Sequence, residues 1–133
     1  MVNQAAAQAL SASMRGEIIQ QGDEYYDDAR KVYNGMIDKR PQQIIRCKDV
    51  ADVMVAVNYA RENDLLLAIR GGGHNGAGLG VCDGGLVIDL SQMNGIRVDA
   101  DSRTVRAEGG CTQGDIAHAA HPFGLAVPAG IVS

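Results

Sequence analysis

The chain has 133 residues, 46% of them apolar and 21% charged, which is enough for one domain with a real core. Sixteen acidic against twelve basic residues give a net charge of −4 and exclude nucleic acid as the primary partner, because phosphate binding needs clustered Lys and Arg. No apolar run approaches the ~20 residues of a membrane span, no basic start marks a signal peptide, and three cysteines without a CxxC pair fit a reducing, cytoplasmic setting.

Residues 3–20, rich in Ala, Gln and Met, read as a helix ended by Gly22 and Asp23, and Glu24 to Tyr33 reads as a second short helix. Gln43 to Cys47 reads as a strand. Asp49 follows as a helix N-cap, with Asp52 three residues on in the manner of a capping box. Val50, Val53, Met54 and Val57 recur at helical spacing and predict the buried face of that helix. Asn63 and Asp64 end it, and Leu65 to Ile69 reads as a short buried strand, completing a parallel, right-handed β-α-β unit. Leu86 to Leu90 reads as a further strand. Ile96 to Asp99 and Arg103 to Glu108 alternate apolar with polar residues around Ala100-Asp101-Ser102, as an antiparallel hairpin does. Asp115 to Ala120 reads as a short helix with Asp115 at its N-cap, followed by a turn at Pro122 to Gly124 and a strand-loop segment from Leu125 to Val132.

Of seventeen glycines, eight fall between Gly71 and Gly85. The segment Arg70-Gly71-Gly72-Gly73-His74-Asn75-Gly76-Ala77-Gly78-Leu79-Gly80 formally contains G-x-G-x-x-G. That fingerprint works only where the loop opens a helix, and the residues that follow are a poor helix start. A phosphate P-loop is excluded because no Gly-Lys-Ser/Thr follows. Two readings remain: a flexible loop without a ligand, or a run of bare backbone amides that forms an anion nest. His74 lies inside it, where the reactive end of a cofactor could be touched. His118 and His121 lie three apart, but a solvated helix face accounts for both and no metal site is expected. Cys47 and Cys82 read as small buried hydrophobes, Cys111 as partly exposed, and Ser91 as a strand cap in preference to a hydrogen-bond partner of nearby backbone or cofactor.

The segments RGGGHNGAGL, VCDGGLVIDLSQMNGIRVD and EGGCTQGDIAHAAHPFGLAVPAGIVS carry a family resemblance, as does GDEYYDDARKVYNGMIDKRPQQIIRCKDVADVMVAVNYARE upstream. Together they resemble the FAD-linked oxidases of the p-cresol methylhydroxylase / vanillyl-alcohol oxidase class, and more narrowly the berberine-bridge-enzyme-like group. The resemblance implies an α+β fold, the N-terminal part of a FAD-binding domain, with a small β-α-β subdomain followed by a mainly antiparallel sheet subdomain. It divides the chain into an N-terminal helical segment (1–40), the β-α-β subdomain (41–70) and the pyrophosphate loop with the start of an incomplete second subdomain (71–133).

The resemblance also implies FAD as cofactor, with Arg70, Gly71, Gly72, Gly73, His74, Asn75 and Gly76 at its pyrophosphate and Leu79, Pro128, Gly130 and Ser133 as further neighbours. His74 matches the histidine that relatives join covalently to the flavin 8-methyl group. Val132 stands where some relatives carry a second, cysteine tether, which leaves His74 alone in that role. Ala129 replaces a glycine common in relatives. Such enzymes oxidise an alcohol, sugar or amine, with substrate and catalytic base supplied mainly by a later domain. The chain is therefore expected to be an inactive fragment holding no catalytic residue of its own, able to form a homodimer through its edge near Ser133. A second reading is a stand-alone, non-catalytic nucleotide-binding or self-associating module.

Overall fold

The segments Gln-Ile-Ile-Arg, Leu-Ala-Ile-Arg and Leu-Val-Ile-Asp form the parallel heart of the fold, described by a computed structural model over residues 4–130. In chain order the elements are α1 (Gln4–Ala12), β1 (Glu17–Gln20), α2 (Tyr26–Ala29), β2 (Gln43–Arg46), α3 (Val50–Glu62), β3 (Leu67–Arg70), β4 (Leu86–Asp89), β5 (Ile96–Asp99), β6 (Thr104–Ala107) and α4 (Gln113–Ala120). A 3-10 turn, His121–Phe123, follows α4 and closes on Gly124 in the left-handed conformation. The first sheet has the order β1-β2-β4-β3, with β2 and β3 parallel to β4 and β1 antiparallel to β2. β4 therefore inserts between the two strands of the β-α-β unit, and this sheet draws on residues from both sides of the boundaries expected at 40/41 and 70/71.

Alternation along these strands builds two cores. Ile45, Leu86 and Ile88 pack with Leu10 of α1 and with Ala56, Tyr59 and Ala60 of α3. On the other face Ile19, Ile44, Ala68 and Val87 pack with Tyr26 and Ala29 of α2 and with Val81 and Cys82.

Several expectations are corrected by the structure, the helices first. The helix expected over 3–20 stops at Ala12, and residues 17–20 are strand β1. Gly16 makes the switch possible, since a Cβ there would sit 2.2 Å from the carbonyl oxygen of Arg46, and the β-branched pair Ile18-Ile19 then favours pairing. The second helix is confined to Tyr26–Ala29 instead of running to Tyr33. In α3 the buried face is Asp52, Ala56, Tyr59 and Ala60, while Val50, Met54 and Val57 stay exposed. Small Ala side chains admit the bulky Ile and Leu of the sheet, a fit that apolar spacing alone does not reveal. Asp115 is not an N-cap: α4 begins under Thr112, with Asp115 as its reciprocal partner in a capping box.

Asp49 does cap α3, accepting from the Asp52 amide at 3.0 Å. Asp52 does not close a capping box. Its buried carboxylate accepts the amides of Arg15 and Lys48, each at 2.9 Å, and ties the start of β1 to the start of α3. Asp52→Ala strands both amides and should cost about 1–3 kcal/mol, read as a lower urea midpoint at unchanged slope. Asp52→Asn, which keeps one acceptor oxygen, should lose less; equal losses would refute this division of labour.

The second sheet is the hairpin β5-β6, in the register Ile96↔Ala107 to Asp99↔Thr104. Its turn is set by the Asp99 carboxylate, which accepts the amides of Asp101 and Ser102 at 3.1 Å, and by Arg103 at a φ of 53°. α4 packs across the hairpin. The strand-loop segment expected from Leu125 shows no strand over its described part, residues 125–130.

Candidate functional site

Each of β2, β3 and β4 ends an apolar run on a charged residue, and the parallel register sets Arg46, Asp89 and Arg70 side by side across the sheet. Glu17 of β1 stands opposite Arg46 and extends the row. Neighbours at one register share a face, so acid and base alternate along it. Glu17 meets Arg46 at 3.1 Å, Arg46 meets Asp89 at 3.4 Å, and Asp89 meets Arg70 at 2.9 Å. Arg70 also donates to the carbonyls of Ala29, at 2.6 Å, and Lys31, at 3.1 Å, which anchors the chain leaving α2. Burial would push the Asp89 carboxyl up. The Ser91 amide, at 2.9 Å, and the Arg70 guanidinium outweigh it and hold Asp89 below the usual carboxylate range.

The glycine loop leaves β3 straight from Arg70, at the carboxyl ends of the parallel strands, where open sheets bind ligands. A cleft of about 360 Å³ lies on one side, bounded by Lys31, Tyr33, Arg46, Asp89 and Ser91. A second, of about 260 Å³, lies on the other side, bounded by Ile69, Asn75, Leu79 and Gly80. Arg70 to His74 line both, so the loop is the wall between them. Among the described residues, the amides of Gly72, Gly73, His74, Asn75 and Gly76 donate to no internal acceptor. Gly73 and Gly78 take φ of 73° and 70°, and a Cβ on Gly78 would lie 2.7 Å from Ile37. Free amides on such a backbone form a nest for an anion, while the nearby Lys31 and Arg46 are already paired, Lys31 with Asp28 at 2.6 Å and Arg46 with Glu17 and Asp89.

A segment from far upstream holds the loop. The Tyr33 amide donates to the Gly73 carbonyl at 3.0 Å, and the Asn34 side-chain amide donates to the Gly76 carbonyl at 2.9 Å. Lys39 donates to the carbonyls of Gly78, at 3.0 Å, and Val81, at 3.2 Å. The rings of Tyr33 and His74 lie 4.7 Å apart and are inclined by 44°. His74 is exposed and makes no hydrogen bond among the described residues. At the loop's base the backbone of the second unit closes in: a Cβ on Gly71 would lie 2.5 Å from the Gly109 carbonyl oxygen.

The structure brings together Arg70, Gly71, Gly72, Gly73, His74, Asn75 and Leu79 of the expected residues. Arg70 reaches the clefts with its guanidinium already engaged, so its visible part is to fix the loop's base. Gly76 contributes an open amide and a carbonyl held by Asn34. Pro128 and Gly130 are exposed and line neither cleft, while the neighbouring Val127 carbonyl accepts from Gln113 at 3.4 Å. Ser133 and Val132 lie outside the described residues. Sequence reasoning missed Lys31, Tyr33, Arg46 and Asp89; a charge closing each apolar run was the available signal for Arg46 and Asp89.

Cys47 and Cys82 are buried. Burial, reinforced by Asp52 and Asp89, pushes the Cys47 thiol up to about 12, and burial pushes Cys82 up as well, so neither is a ready nucleophile. Among the described residues no group of three or more His, Cys, Asp or Glu is placed to hold a metal ion.

The FAD binding domain family matches residues 41–132. (R)-6-hydroxynicotine oxidase of Paenarthrobacter nicotinovorans is 38% identical over 123 residues, covering 92% of this chain and 27% of that protein. The crystal structure of 6-hydroxy-D-nicotine oxidase from Arthrobacter nicotinovorans superposes with a TM-score of 0.81 at 38% identity, over 84% of this chain and 25% of that one. The berberine-bridge-enzyme-like 1 variant D396N of Physcomitrella patens superposes with a TM-score of 0.77 at 27% identity, over 86% of this chain and 25% of that one. The chain thus spans about a quarter of the length of these relatives. It belongs to the FAD binding domain family, and its relatives are FAD-linked oxidoreductases, berberine-bridge-enzyme-like proteins among them.

Proposed function

We propose that this chain is the part of an FAD-dependent oxidoreductase that receives the cofactor's pyrophosphate and tethers its flavin. The observation that carries this reading is the wall of five unpaired amides, Gly72 to Gly76, with exposed His74 among them and a cleft on each side. The residues fit FAD. Open amides suit a pyrophosphate, and Ile69 and Leu79, both exposed in the smaller cleft, suit an apolar part of the cofactor. Bound FAD supplies hydride acceptance from a reduced organic substrate.

His74 is the covalent tether in this reading. FAD bound here would be joined through its 8-methyl carbon to an imidazole nitrogen of His74, an N–C bond in place of one N–H and one C–H, with molecular oxygen as the acceptor of the two electrons and two protons released. The substrate, an alcohol, sugar or amine, and the base that acts on it belong to segments outside these residues. Similarity to the 6-hydroxynicotine oxidases supports an amine. A cytoplasmic location and self-association of the chain complete the proposal.

The test is to express the full reading frame, precipitate it in acid and measure flavin that stays with the polypeptide. Wild type should retain it, in a peptide containing His74 by mass spectrometry. His74→Ala should release all of it. Wild-type protein that releases its flavin would remove the tether but leave the FAD site; protein without flavin absorbance would overturn the proposal.

A further inference from the structure

We infer that Tyr33 is the positioning residue for His74, holding the imidazole at one place on the glycine loop so that its nitrogen meets the cofactor. The inference rests on His74 being the tether. His74 is exposed, sits between two glycine-rich stretches and makes no hydrogen bond among the described residues. Left alone on such a backbone, its side chain would sample several rotamers over either cleft. The Tyr33 ring, 4.7 Å away and tilted by 44°, is the aromatic surface it packs on.

Tyr33 is well placed to impose a position, because its own backbone is fixed to the same loop. Its amide bonds the carbonyl of Gly73, the residue immediately before His74, and the next side chain, Asn34, bonds the carbonyl of Gly76 just beyond. The two contacts bracket His74 and hold the Tyr33 backbone against the loop on both sides of it. The Tyr33 hydroxyl makes no hydrogen bond among the described residues, so the ring face and not the phenol does the positioning. Tyr33 itself is 67% exposed, so trimming it opens no core cavity.

The experiment uses protein from the full reading frame, refolded without cofactor and then given FAD. Total bound flavin and acid-stable flavin are followed separately in time. Tyr33→Leu should attach the FAD it binds about 100-fold more slowly than wild type, since a displacement of about 1 Å in a reacting group costs that much. Tyr33→Phe, which keeps the ring, should attach at the wild-type rate. A second readout needs no cofactor: the His74 ring-proton resonances should carry an aromatic ring-current shift that Tyr33→Phe preserves and Tyr33→Leu abolishes. Equal attachment in wild type and Tyr33→Leu would overturn the positioning role and leave the tether standing. Wild type that attaches no flavin at all would overturn the tether and this inference with it. Loss of total binding in Tyr33→Leu would overturn the inference too, by making Tyr33 a structural part of the cofactor site.

Discussion

Asp89→Ala is expected to destabilise the fold by about 3–5 kcal/mol, the usual consequence of removing one partner from a buried ion pair. The Asp89 side chain is 3% exposed and Arg70's is 7%, and they meet at 2.9 Å. Without the carboxylate, the Arg70 charge is buried with only the carbonyls of Ala29 and Lys31 to solvate it, and Arg46 loses its inner partner. The Ser91 amide is left open as well. Circular-dichroism melts of wild type, Asp89→Leu, Arg70→Met and the double variant Arg70→Met/Asp89→Leu, alongside Asp89→Ala, measure the effect. The double variant should cost clearly less than the sum of the single losses, because it removes the stranded charge along with its partner. Strict additivity would show that the pair is not coupled.

The same residue sets a pH dependence whose sign follows from its depressed folded-state value. The carboxyl lies below its ordinary 3.8 when folded and returns to it when unfolded. Its stabilising effect is therefore complete above the unfolded value and is lost as pH falls through the lower, folded one. Asp27, Asp38, Asp99 and Asp115 are depressed in the same direction at the exposed surface, by hydrogen bonds to Arg30, Arg30, Ser102 and Thr112 respectively. Acid unfolding of wild type therefore sums several groups. The Asp89 share is the difference between the stability-versus-pH curves of wild type and Asp89→Asn, which should converge as the pH falls below 3.8.

Much of this fold was legible because its strands are short apolar runs with polar stops. Gln43 to Arg46, Leu86 to Asp89 and the hairpin around Asp101 stand where their patterns put them. The glycine loop and His74 were legible for a different reason: a dense run of residues without side chains signals exposed backbone. What the sequence hid was whatever depends on pairing between distant segments. β1 was absorbed into a helix because Ala and Gln run without a proline into Glu17, and only the approach of Arg46 explains why Gly16 must interrupt them. The buried face of α3 was misjudged because Ala56 and Ala60 look neutral until the sheet above them supplies Ile45 and Ile88. The hold of Tyr33, Asn34 and Lys39 on the loop spans some forty residues of chain, and no local pattern encodes it.

Gly110→Ala is expected to separate the hairpin unit from the sheet. A Cβ at this position would lie 1.8 Å from the Leu90 carbonyl oxygen, 2.7 Å from its carbon and 2.8 Å from the Met93 carbonyl oxygen. All three obstacles are backbone, so no side chain can rotate away. Overpacking costs about 1–3 kcal/mol where neighbours yield, and this site should exceed that range. The loss should be local. The Gly110 amide bonds the Met93 carbonyl at 2.9 Å, and the Glu108 amide bonds that of Gly95 at 3.0 Å. Both should lose hydrogen-exchange protection while the amides of Ile45 and Ile88 keep theirs. Gly114→Ala is the control. It lies in the first turn of α4, where its nearest contact would be Thr112 Oγ1 at 3.7 Å, so a methyl group meets no backbone. Unchanged protection at Gly110 and Glu108 would refute the docking role of this turn. The consequence reaches the glycine loop, because Gly109 bears directly on Gly71. Releasing the turn frees the base of the loop, so Gly110→Ala should also weaken non-covalent FAD binding, measured as flavin lost on gel filtration from the untethered His74→Ala background, although Gly110 itself lines neither cleft.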